Sequence, residues 1–236
     1  MSAHHTRFLD PKNDYAFKRV FGHEQNKDVL IAFLNDILDH KYIGQIAMVD
    51  LLPDINNPRM PESTLDILCR DQQGVQYIVK MQLTHTNHLL KRAHYYTAQA
   101  YGLQIATGGK YKSLKAVIFL AIADVELYPE KKQVKSDHFM LGSGTKKRDL
   151  NNLCFTFIEL PKFQKSVDEL ESNAECWYYY LKHASETVEP AYEKLVSNFP
   201  IMKRAFHELD KAYWNETEIH TYEQMLKKSR DEASRL

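Results

Sequence analysis

Cysteine is scarce in this chain. Cys69, Cys154 and Cys176 are odd in number, far apart and without CxxC spacing, which excludes a disulfide framework or a zinc ribbon as the organising device. They read as reduced, structural thiols. No long apolar run is present either: the strongest, Ala116 to Ala123, is too short to span a bilayer, so no membrane anchor is expected. The opening "MSAHHTRFLDPKND" lacks the basic and then apolar regions of a signal peptide, which points to the cytoplasm. Excess charge of one sign is missing too, since 31 Lys and Arg balance 31 Asp and Glu. That removes the simplest argument for a polyanionic partner. Internal repeats and low-complexity segments do not occur.

The 236 residues, 44% hydrophobic and 26% charged, suffice for one globular domain of ordinary size, with or without a helical appendage. Charge is unevenly spread. From Lys110 to Arg148 there are nine Lys and Arg against four acids, and from Ser166 to Glu193 one Lys against seven acids. The spread fits a molecule with a basic side; it equally fits two ordinary solvated faces.

"DPKNDYAFKRVFG" carries turn and capping residues before Tyr15, Phe17, Val20 and Phe21, which predicts a short helix stopped at Gly22. A second helix is expected in "NKDVLIAFLNDILDH", with Val29, Ile31, Leu34, Ile37 and Leu38 near helical spacing. Three strands should follow: "QIAMVDLL", then "STLDILC" and "VQYIVKMQL" joined by a short loop containing Gly74. A long helix is expected from His85 to about Thr107, ended by Gly108 and Gly109. "LKAVIFLAIAD" reads as a central strand buried on both faces. Residues Leu127 to Asn152 look like a polar excursion with a short strand at "HFMLG", and "LCFTFIEL" like a further strand. The rest reads as helices. The order indicates an α/β architecture, a mixed sheet with helices on both sides and a helical C-terminal extension. The expected division is residues 7–162 and 163–236.

The hairpin "LDILCRDQQGVQYIVKMQ" is the informative segment. With Asp71 to Val75 as the loop, Arg70 pairs with Gln76, and counting back sets Asp66 opposite Lys80 with Gln82 two residues on. A one-residue slip would send Lys80 and Gln82 to the other face. Magnesium-dependent phosphodiester hydrolysis needs hard oxygen ligands for the metal and a polar or basic group to orient the attacking water. A strand-borne carboxylate opposite an acid-x-Lys or acid-x-Gln pattern supplies them.

"NDYAFKRVFG", "FLNDIL", "LDILCRDQQGVQYIVKMQ", "KRAHYYTAQAYGLQIATGGKYKSLKAVIFLAI" and "FIEL" together resemble the successive blocks of the PD-(D/E)XK nuclease family transposases, or recombination-promoting nucleases. The resemblance spans roughly Arg7 to Lys162. It implies a restriction-endonuclease-like fold and a DNA endonuclease dependent on Mg2+ or Mn2+, associated with recombination, bacterial and cytoplasmic. It places Asp66 at the metal-binding aspartate and Gln82 at the last position of the catalytic motif. Where the family carries the catalytic Glu of a Glu-x-Gln motif, this chain has Lys80. An ammonium group cannot coordinate magnesium, so loss of cleavage is the simplest consequence. Three origins stay open: an engineered inactivating change, a natural loss in a chain that still binds DNA or a protein, and a rearranged site that uses another acid such as Glu62. A Lys80–Asp66 ion pair filling the metal position is a further expectation.

Asp14 and Lys18 are similar to the family's entry motif, and both are candidates for the border of the site, Lys18 as a DNA contact; the plain alternative is a surface ion pair. Arg92, beside Tyr95 and Tyr96, matches the Arg…Tyr-Tyr block and is the second candidate phosphate contact, with the tyrosines expected mainly to pack. His85, His88 and His94 lack complementary metal ligands. "WYYY" at Trp177 to Tyr180 reads as packing rather than base stacking. Self-association through the C-terminal helices is an expectation as well.

Overall fold

The computed structural model describes residues 6–38, 44–53, 66–83, 88–105 and 110–233. The chain divides into two compact units, Met1–Asp39 with Leu160–Leu236, and His40–Glu159.

The second unit is a six-stranded mixed sheet. Its strands are β1 (Val49–Leu51), β2 (Ile67–Asp71), β3 (Gln76–Gln82), β4 (Val117–Ala123), β5 (Lys135–Met140) and β6 (Leu150–Glu159), in the order β1-β2-β3-β4-β6-β5. β3, β4 and β6 run parallel, while β1, β2 and β5 pair antiparallel with their neighbours. Every residue of β4 is buried, as its unbroken apolar run predicts for a strand between two neighbours and covered on both faces. Helix α3 (Leu89–Leu103) connects β3 to β4. It lays Ala93, Tyr96 and Ala100 on Leu68, Ile78, Val117, Phe119, Ala121, Phe155 and Phe157. Because β3 and β4 are parallel, α3 begins at the end of the sheet where β3 finishes and returns to the end where β4 starts. Gln104, just past the helix, accepts from the Lys115 amide at 2.8 Å, and Tyr101 bonds Asn152 at 2.7 Å.

Several boundaries move. β1 is only three residues long, against the eight of "QIAMVDLL". The supposed excursion supplies β5, which starts three residues ahead of "HFMLG", and the first three residues of β6. The ends expected for the long helix at His85 and at Gly108 and Gly109 lie outside the described residues.

The first unit is helical: α1 (Asp14–Phe21), α2 (Lys27–Ile37), α4 (Asn173–His183), α5 (Glu189–Asn198), α6 (Ile201–Leu209) and α7 (Glu216–Ala233). Asn13 caps α1 by accepting from the amides of Tyr15 and Ala16, which satisfies donors that a helix start leaves open. α2 buries Val29, Leu30, Phe33, Leu34 and Ile37, so Leu30 and Phe33 take the place expected for Ile31. Phe21, Phe33 and Trp177 form a ring cluster with centroids 4.9–5.9 Å apart, and the Trp177 indole donates to Asp36 at 2.9 Å. Tyr180, fully buried, donates to the Ala205 carbonyl at 2.8 Å. The aromatic run is therefore core, with Trp177 and Tyr180 as anchors and Tyr179 turned to the rim. Pro200 divides the long C-terminal pattern into α5 and α6, since proline cannot continue the helix before it.

Candidate functional site

The β2–β3 hairpin adopts the expected register. Arg70 faces Gln76, Cys69 faces Tyr77 and Ile67 faces Val79, so the next position sets Asp66 across from Lys80. The turn is shorter than expected because Asp71 still belongs to β2. Asp71 shapes it: one carboxylate oxygen accepts from the amides of Gln73 and Val75, and the other from the Tyr77 hydroxyl at 2.7 Å. Gly74 closes the turn at φ +87°, a left-handed conformation that glycine adopts without steric cost. Burial and the bond to Asp71 push the Tyr77 hydroxyl far above the usual phenol range.

At the far end of the hairpin the Lys80 ammonium lies 2.9 Å from Oδ1 of Asp66, and the Met81 amide donates to Oδ2 at 2.6 Å. Both carboxylate oxygens are thus engaged, one by a full charge and one by a backbone donor. The Asp66 side chain is 1% exposed and that of Lys80 11%. Gln82, also buried, follows on the same side of β3. These three polar groups share the sheet face that carries Leu68 and Ile78, the face covered by α3. Such a pair is held by low dielectric and geometry; removing either member would strand the other charge.

The described residues do not assemble the hard-oxygen set that a divalent ion needs. Asp66 is the only carboxylate of the hairpin pair, its oxygens are taken, and among the described residues no group of three His, Cys, Asp or Glu side chains could hold a metal ion. Glu62 lies outside the described residues. Glu159, at the same end and on the same face of the sheet, serves the backbone instead, since its Oε1 accepts from the amides of Leu127 and Tyr128 and ties that loop down.

Arg92 is half-buried in the first turns of α3, with its guanidinium 5.9 Å from the Tyr96 ring centroid. It therefore sits toward the end of the sheet where β3 finishes. Tyr96 is core, and Tyr95 is exposed. Asp14 and Lys18 belong to the helical unit, on α1, and form no ion pair with each other. Lys18 lines a cleft of about 460 Å3 with Tyr15, Arg19, His23, Glu208 and Glu218. Sequence reasoning overlooked the Met81 amide and Glu159. A backbone donor leaves no mark in a sequence, whereas Glu159, a lone acid closing the apolar half of "FIEL", was a readable signal.

A family model described as PD-(D/E)XK nuclease family transposase matches residues 11–236 of the chain. No curated protein matches it, and no solved structure does.

Proposed function

The chain belongs to the PD-(D/E)XK nuclease family transposases, and from that premise we propose a DNA-acting domain whose nuclease centre is closed by its own lysine. In this reading Asp66 occupies the metal-binding position, Gln82 the final motif position and Lys80 the place of the second metal-binding carboxylate. The observation that carries it is the 2.9 Å contact between the Lys80 ammonium and Asp66. An ammonium group supplies the positive charge that a buried carboxylate demands, so the fold has no need of a metal there. It offers no coordination site, and hydrolysis would lack the ion that polarises the phosphate and activates water. What remains is DNA binding without cutting, in the cytoplasm, with Arg92 and Lys18 as candidate phosphate contacts.

The test is nicking of supercoiled plasmid in Mg2+ or Mn2+ by the native chain and by Lys80→Glu. The native chain should leave the plasmid intact, and Lys80→Glu should nick it. Metal-dependent nicking by the native chain, abolished by Asp66→Asn, would overturn the closed-centre reading. Absence of nicking by a folded Lys80→Glu protein would remove the claim of a disabled nuclease altogether.

A further inference from the structure

The basic stretch between Lys110 and Arg148 is one run in sequence but two groups in space. Lys131, Lys132 and Lys135 stand where β5 begins, at the Glu159 end of the sheet, since Lys135 pairs with Ile158. The others gather at the opposite end. Lys110, Lys112 and Lys115 precede β4, and Lys146, Lys147 and Arg148 form the tip that joins β5 to β6. The parallel pairing of Val117 with Leu153 puts these two segments side by side. From this end to the Asp66 end is the length of β4, on the order of 20 Å.

The charges there are poorly balanced. Among the described residues no carboxylate pairs with the ammonium of Lys110, Lys112, Lys115, Lys146 or Lys147, and all five residues are exposed. Arg148 is different, folded back over the Phe139 ring at 3.8 Å. Among the described residues the acids at this end are Asp71, buried and bonded to the turn and Tyr77, and Asp149 in the hairpin. Asp50, on the edge strand β1, is paired with Arg70. Five unpaired like charges on two adjacent loops repel one another, an arrangement that costs stability and is relieved by a polyanion.

Two polyanions compete. Met140, Leu141 and Leu150 are exposed beside the tip, as a lipid surface would require. The tip itself, however, is Gly142, Ser143, Gly144, Thr145, Lys146 and Lys147. Its outermost residues are small, hydroxyl-bearing or cationic, with no side chain suited to hydrocarbon. Lysines without bidentate arginine forks suit phosphate as point charges and read no base sequence. We propose that this end of the sheet, remote from Asp66 and Lys80, binds the phosphate backbone of duplex DNA without regard to sequence. The inference rests on the DNA-acting reading above and assigns it a surface.

The test is fluorescence anisotropy of a labelled 20-base-pair duplex with the full chain at 50 and 200 mM salt. If all five lysines neutralise phosphates, affinity should fall up to about 500-fold across that fourfold range of salt. Lys110→Gln/Lys112→Gln/Lys115→Gln and Lys146→Gln/Lys147→Gln should each weaken binding at 50 mM and flatten its salt dependence. A control, Lys132→Gln/Lys203→Gln/Lys227→Gln, should do neither. Unchanged binding in the first two variants, an equal loss in the control, or no duplex binding at 50 mM would overturn the proposal. So would binding to phosphatidylserine vesicles without binding to the duplex. The two readings fail separately: nicking by Lys80→Glu with unaltered binding in the lysine variants sinks only the surface, and the reverse pattern sinks only the nuclease centre.

Discussion

Replacing Lys80 by Met isolates what the buried pair contributes. The methionine keeps an unbranched chain of similar reach but leaves Asp66, 1% exposed, with the Met81 amide as its remaining partner of the two. Breaking a buried pair by removing one member costs about 3–5 kcal/mol. The low end applies because the Lys80 side chain keeps 11% exposure. At roughly 2–4 °C per kcal/mol for a chain of this size, about 3 kcal/mol lowers the melting temperature by about 6–12 °C. Asp66→Asn is destabilising for the converse reason: Lys80 and the Met81 amide bond different oxygens of Asp66, so the amide turns its NH2 toward one of these donors and leaves the ammonium without a countercharge. The double variant Asp66→Asn/Lys80→Met should be more stable than the sum of the singles predicts, with a coupling of about 2 kcal/mol. Urea unfolding monitored by circular dichroism measures all four corners of the cycle. In 1 M NaCl the coupling should persist, because a pair this buried is weakly screened. Additive single effects, with a coupling below about 0.5 kcal/mol, would refute the claim that Lys80 satisfies Asp66.

Lys80→Glu sets two carboxylates face to face, so its melting temperature should fall below that of the native chain and recover on adding Mn2+. At 100 times the dissociation constant the ion restores about 2.7 kcal/mol, while the native chain should not respond. Gly74→Ala places a side chain at φ +87° with its Cβ 3.1 Å from Lys115 Cγ; a loss of about 1–2 kcal/mol is expected from urea midpoints. Burial pushes the Cys69 thiol up to about 12, so at pH 8 it should resist Ellman's reagent in the folded protein and react after unfolding. His138, stacked on Tyr128, has its pKa lowered first by burial and then by Lys131. The neutral ring's stabilisation is full above the ordinary value of about 6.5 and is lost as pH falls through the lower folded value. The drop in stability between pH 7 and pH 5 should therefore shrink in His138→Phe.

What could be read in the sequence follows from what alternates in it. The β2–β3 register could be counted because apolar residues flank a polar turn containing glycine, and of the two pairings the count left open the structure adopts the one that sets Arg70 against Gln76 rather than the one-residue slip. β4 was legible because a strand covered on both faces must be apolar throughout. β5 was nearly silent. It is an edge strand whose residues are half-buried or exposed, so "KSDHFM" carries little pattern, and missing its start blurred the start of β6 as well. The grouping of α1 and α2 with the C-terminal helices was silent for another reason: an apolar helix face declares that it is covered, not by which segment. The missed start of β5 also hid the division of the basic run, because the return along β5 carries Lys135 and Lys146 to opposite ends of the sheet.

On the proposed reading, Lys80 stands where the family's second metal-binding carboxylate would be, and the hairpin keeps its register around it. A buried carboxylate on a strand is destabilising unless a positive charge or hydrogen-bond donors reach it. In a metal-dependent nuclease the ion provides that charge only when bound, and the second carboxylate adds repulsion whenever it is absent. Lys80 provides it permanently and from within the chain, at 2.9 Å and with a backbone amide on the other oxygen. A change that removes coordination chemistry can therefore leave the hairpin better satisfied than an empty two-carboxylate centre would be. On that reasoning the native chain should be more stable than Lys80→Glu in metal-free buffer, and the order of the two should narrow as Mn2+ is added.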